Sequence, residues 1–213
     1  DHEGNLKTTI GTRDEFYNPS GLALDEKNSR LYVSDGGTGD RPHRIRVYNL
    51  EGKFLFEFGK RGSEEGEFNY PTNLFLRNDK LFVTDTMNCR VQVFDLEGKF
   101  LFTFGEIGDA WGDFTRPKGI AVDSEGHIYV ADAAFDNVQV FDDKGRILLF
   151  FGGAGYGPGQ FNLPAGMFID DQARVYVVDS YARRVQVFQY LGSRYNELLE
   201  REVTEKAPKG VNK

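Results

Sequence analysis

The sequence predicts an all-β fold, a β-propeller of four-stranded antiparallel blades, and three observations carry that prediction. The stretch RVQVFDLEGKFLFTFG at 90–105 is nearly duplicated by RIRVYNLEGKFLFEFG at 44–59. It returns in part as NVQVFDDKGRILLFFG at 137–152 and is cut short as RVQVFQYLG at 184–192. The landmarks Pro19, Pro71, Pro117 and Pro164, and with them Asp35, Asp85, Asp132 and Asp179, recur every 46 to 52 residues, the period of a propeller blade or solenoid unit. Within each period the apolar runs are short, β-branched and aromatic, which excludes helical repeats.

Each unit has the same order. A Phe-x-x-Pro step begun by Phe16, Phe68, Phe114 or Phe161 leads into a short apolar run, the first strand. LYVSD, LFVTD, IYVAD and VYVVD form the second strand, each ending in the recurrent aspartate. The RVQVF-type runs, alternating with period two, form the third; a Gly turn then leads to the aromatic fourth strand ending in Phe-Gly. The four wedge-position phenylalanines recur too regularly for ligand contacts and are assigned to the space between blades. In a ring, each blade buries both faces against its neighbours and few strand edges stay open.

The opening DHEGNLKTTIG aligns on DLEGKFLFTFG, so the chain begins inside a blade, at the turn before an outermost strand, while the fourth unit lacks that strand. Either residues 5–11 supply the missing strand and close a ring of four, the preferred reading for the polypeptide as given, or the four blades are part of a six-bladed ring. The opening Asp implies processing or truncation. Residues 1–192 form the propeller, and 193–213 a tail. There Tyr195, Leu198, Leu199 and Val203 predict a short amphipathic helix over 194–206, before Pro208.

The run Pro-x-Gly-apolar-Ala-apolar-Asp, then Tyr-Val-x-Asp, then Arg-Val-x-Val-Phe resembles the NHL repeat over nearly the whole of 1–192. The resemblance implies a propeller, commonly six-bladed, used mostly as a binding platform and sometimes as an enzyme. The phrasing of 58–76 and 116–141 is most similar to bacterial exported NHL-repeat proteins. That similarity implies an extracytoplasmic location, periplasm or cell exterior, and a scaffold subunit docking an electron-transfer protein such as a multihaem c-type cytochrome. Three departures stand out: Asn73 replaces the Gly of 21, 119 and 166; Arg77 replaces the Asp of 25, 123 and 170; and Asn137 replaces the Arg of Arg44, Arg90 and Arg184.

Composition narrows the function classes. The 213 residues suffice for one sizeable core, filled from an aromatic fraction of 14%. A formal charge of −7 opposes polyanions, so nucleic acid is disfavoured as a partner, although some NHL propellers read single-stranded RNA. The single Cys89 rules out an internal disulfide and any CxxC metal motif, and no apolar run reaches membrane-span length. The lyases that resemble this family use a histidine-bound metal. Here the three histidines fall on different faces, His2 and His127 on one and His43 on the other, so they do not converge on an ion. No nucleophile elbow occurs, and the glycines of GGAGYGPGQ miss dinucleotide spacing. No catalytic residue, metal or cofactor is therefore assigned. A carboxylate site in the central channel, or a metal-dependent lyase or hydrolase, is the enzymatic alternative.

Strand order puts the connections before the first strand and after the second on one face. These loops are long and varied, whereas those of the other face are short turns. Binding residues concentrate on loops held by a rigid scaffold. The candidate face therefore comprises Tyr17, Arg41, His43, Tyr70, Met87, Trp111, Arg116, Phe135, Tyr156, Tyr181 and Arg183, residue types enriched at protein interfaces. The repeated Asp35, Asp85, Asp132 and Asp179 are assigned a structural part, accepting turn hydrogen bonds or pairing with Arg44, Arg90 and Arg184. Asn137 is expected to keep a hydrogen bond where that Arg is lost.

Overall fold

The computed structural model describes residues 3–193 and 195–197. The first blade is β1 (Pro19–Asp25), β2 (Arg30–Gly36), β3 (His43–Asn49) and β4 (Phe54–Phe58). The second is β5 (Pro71–Arg77), β6 (Lys80–Asp85), β7 (Arg90–Asp95) and β8 (Phe100–Phe104). The third is β9 (Pro117–Val122), β10 (Ile128–Asp132), β11 (Asn137–Phe141) and β12 (Ile147–Gly152). The last holds β13 (Pro164–Ile169), β14 (Arg174–Asp179) and β15 (Arg184–Gln189). All pairings are antiparallel between sequence neighbours, the up-and-down order of a β-propeller.

Register repeats as faithfully as sequence. The recurrent aspartate of each second strand stands opposite the Arg or Asn of the third, at the end of the pairing in the last three blades and one residue inside it in the first: Asp35 and Arg44, Asp85 and Arg90, Asp132 and Asn137, Asp179 and Arg184. On its other side each faces the proline that opens the blade. The cores lie between blades. Phe68 packs with Phe58 and Phe94, Phe114 with Phe141, and Phe161 with Phe151 and Phe188, ring centroids 5.5 to 6.5 Å apart. These three wedge phenylalanines are wholly buried, and Phe16 is half-buried against Tyr48.

The innermost strands pack in series, β1 on β5, β5 on β9 and β9 on β13, and no comparable packing joins β13 to β1. Burial reports the same openness. β6 and β10 are buried on both faces, because a blade lies on either side. β1 alternates buried with exposed and β15 half-buried with exposed, and they leave Leu22, Leu24, Val185 and Val187 open to solvent. The four blades thus form an arc.

Ring closure by residues 5–11 is corrected here: they join no strand, and the last sheet has three strands. Packing explains why. Phe58 lies over Gly98 and Phe104 over Gly145, each the last residue of an outer strand set against the next blade's turn. Ile10 lies over Gly52 in the same way. Gly52 has φ +88°, a left-handed conformation without a side chain, which leaves room for that approach. The segment therefore takes the outer-strand place of a blade preceding β1. At the other end, residues 193 and 195–197 are helical, with the Asn196 amide donating to the Gly192 carbonyl at 3.2 Å; the rest of the expected 194–206 helix lies outside the described residues.

Candidate functional site

The loop face is held by an ion-pair clamp at three of the four blade corners. The Asp85 carboxylate accepts the Asn69 amide at 2.6 Å, the Asn88 side-chain amide at 2.8 Å and Arg90 Nε at 2.9 Å. Burial pushes its carboxyl up, against the pull of the Asn69 amide, Asn88 and Arg90. Arg90 then reaches across to the carbonyls of Glu64 and Glu67, tying the loop of the blade interface to the sheet. Arg184 repeats this with Asp179 at 2.8 Å and with the carbonyls of Tyr156, Gly157 and Gln160. Arg44 does so with Asp35 at 3.3 Å and the Glu15 carbonyl at 2.8 Å. The four aspartates have no solvent exposure, so they close corners and do not line a channel.

The third blade lacks the clamp. Asp132 accepts only the backbone amides of Thr115, Arg116, Ala134 and Phe135. The hydrogen bond expected from Asn137 is absent, and Asn137 Oδ1 is buried without a partner. An amide side chain is too short to span the distance a guanidinium covers. A cavity of about 190 Å³ lies there, lined by Asp109, Ala110, Trp111, Phe135, Asn137, Gln139 and Phe150.

On these corners the face presents Trp111, 71% exposed, Tyr181, 67%, and Tyr156, 63%, together with exposed Met87, Arg41, Arg116 and Arg183. Tyr17 is exposed and lies under Arg41, the guanidinium carbon 4.5 Å from the ring centre. Phe135 is half-buried beside the third-blade cavity. Tyr70 is half-buried too, held at φ +56° just before Pro71, with its ring 4.8 Å from that of His43.

One member of the expected face is corrected. His43 is fully buried: Nε2 donates to the Gly37 carbonyl at 2.7 Å and Nδ1 accepts the Tyr70 amide at 3.1 Å. It anchors the 36–44 loop, and the first blade needs it because that loop is longer than the 3₁₀ turn Thr86–Asn88 that serves the second. His127 sits at the opposite face, bonded to Asp123 at 2.9 Å, and His2 lies outside the described residues. Two of the basic residues near Arg41 and Arg183, namely Arg44 and Arg184, are spent on the clamps.

Sequence reasoning missed Phe150, whose ring stands edge-on to Trp111 with centroids 5.1 Å apart. It lies within the outer strand β12 and not on a loop. Only the register of β11 with β12, which sets Gln139 opposite Phe150, would have brought it to the site.

A family model described as a 6-bladed β-propeller matches residues 63–134 and 124–203. "Protein brain tumor" of Drosophila melanogaster is 33% identical over 73 residues, 33% of this chain and 7% of that protein. Human "E3 ubiquitin-protein ligase NHLRC1" is 31% identical over 78 residues, 36% of this chain and 19% of that protein. The chain spans less than a fifth of the length of either curated relative. Among solved structures, virginiamycin B lyase from Staphylococcus aureus superposes with a TM-score of 0.56 over 83% of this chain and 57% of that one, at 13% identity, a likeness of fold alone. With its repeats, blade order and this match over more than half its length, the chain is an NHL-type propeller and belongs to the six-bladed β-propeller family.

Proposed function

We propose that the chain is a non-catalytic protein-binding platform whose partner meets the loop face. The carrying observation is the set of exposed aromatic and cationic side chains: Tyr156, Tyr181, Met87, Arg41 and Arg183 on corners that Asp–Arg clamps make rigid, with Trp111 beside them at the unclamped third corner. Rigid aromatic anchors lose little entropy on binding, which suits them to protein contacts. Commitment of Arg44 and Arg184 to the clamps lowers the free positive charge available to a nucleic acid and supports a protein partner. Both ring nitrogens of His43 are engaged and His127 faces the other way, which supports a non-catalytic reading over a histidine-metal lyase. The relative NHLRC1 is named as a ligase acting on protein, in keeping with this class.

The finer reading is an extracytoplasmic scaffold that docks a multihaem c-type cytochrome or another electron-transfer protein. It rests on the similarity of 58–76 and 116–141 to bacterial exported members. Affinity capture with the chain as bait, from fractionated source cells, tests both levels. We expect a polypeptide retained by the wild type and lost by a Trp111→Ala/Tyr156→Ala double variant that keeps its melting temperature. Haem staining of that polypeptide, recovered from the extracytoplasmic fraction, supports the finer reading. Undiminished capture by the folded double variant would sink the face assignment.

A further inference from the structure

We propose that the cavity beside Asn137 is a binding slot for a guanidinium group, the arginine side chain of a partner protein. This deepens the platform reading and rests on it for the identity of the ligand's source.

The other blades show what the slot is built to hold. In the second and fourth, a guanidinium lies against the corner aspartate and donates to loop carbonyls at positions 64 and 67, or 156, 157 and 160. The aligned positions in the third blade are 109, 110 and 113, and the loop there has the same internal bonds. The Asp113 amide donates to the Ala110 carbonyl as Glu67 does to Glu64, and Gln139 donates to the Asp113 carbonyl as Gln92 does to Glu67. Only the guanidinium is missing, because Asn137 stands where the chain elsewhere has Arg44, Arg90 and Arg184.

What remains is a cavity of about 190 Å³ with one side-chain acceptor left over. Asn137 Oδ1 is buried and unpartnered, while Asp132, not part of the cavity lining, is a buried carboxylate that accepts four backbone amides and has no side-chain cation to offset its charge. A buried acceptor without a donor is costly, and a planar cation with five N–H groups can serve it together with loop carbonyls, as the guanidinium does in the other blades. The walls add to this. Trp111, Phe150 and Phe135 line the slot, and aromatic faces attract a guanidinium. Asp109, on the rim, adds negative charge.

Trp111 is the protein's single tryptophan, so its fluorescence reads the slot alone. The probe is N-acetyl-arginine methylamide, titrated into the full chain, with N-acetyl-citrulline methylamide as the uncharged control of the same shape. We expect a saturable change in Trp111 emission with the arginine probe and at least a tenfold weaker response with citrulline. Asn137→Arg restores the repeat's own guanidinium; we expect it to abolish the response and raise the melting temperature. No saturable response in the wild type, or an equal one to citrulline, overturns the proposal without recourse to any variant. So does an undiminished response in a folded Asn137→Arg protein. Probe binding without capture of any polypeptide would leave the slot standing and remove the platform reading; capture without probe binding would do the reverse.

Discussion

Phe114 touches no solvent and fills the gap between the second and third blades, its ring 5.6 Å from that of Phe141. Truncating it leaves a cavity that rigid sheets on both sides cannot close, so Phe114→Ala should cost about 3–5 kcal/mol in urea denaturation. Asp142, at a turn of the opposite face, accepts the amides of Arg146 at 2.9 Å and Lys144 at 3.0 Å. The Arg146 amide, ahead of its guanidinium and the Lys144 amide, holds this carboxyl below its ordinary 3.8. A carboxylate lowered on folding stabilises above its unfolded value and ceases to do so as pH falls through the folded one. Asp142→Asn should therefore melt below the wild type at pH 7, and the gap should close as pH drops beneath 3.8. Such residues were legible in the sequence wherever a repeat exposed them: four phenylalanines and four aspartates at matching positions can only be structural. His43 was not, because a histidine in a variable loop carries no mark of the carbonyl and amide that enclose it.

The RVQVF strands show what an element's sequence does and does not contain. β7 and β15 share the same five residues, yet Val93 has no exposure and Val187 is 53% exposed. Period-two alternation told that both are strands; which face meets a neighbouring blade depends on partners far along the chain. Val93→Ala should cost about 2 kcal/mol, from two lost methyl contacts plus the space they leave. Val187→Ala should cost less than about 0.5 kcal/mol, the usual figure for an exposed site. Chemical denaturation of the two variants checks this, and an equal cost at Val187 would show that its face is covered in solution. The same logic explains the third-blade cavity. The replacement of Arg by Asn at 137 was visible as a departure, but the orphaned oxygen and the approach of Phe150 to Trp111 became visible only with β11 and β12 in register.

At the level of the whole molecule, repeat spacing specifies a blade and says nothing of how many blades complete a ring. The sequence alone therefore favoured self-closure, and the packing of Ile10 on Gly52, with β1 and β13 apart, corrected it. The two faces were legible, because loop length and composition differ so sharply between them and strand order assigns each loop without ambiguity. Their roles follow from physics shared by all propellers: sheets fix the corners, and loops on those corners vary freely. Hydrogen–deuterium exchange on the chain, with and without the polypeptide it captures, tests whether the variable face is the working one. We expect slowed exchange in the loops 36–44, 105–116, 152–163 and 180–184, with the opposite turns at 49–53, 95–99 and 142–146 unchanged. Protection confined to those turns, or to the open face of β14 and β15, would contradict it.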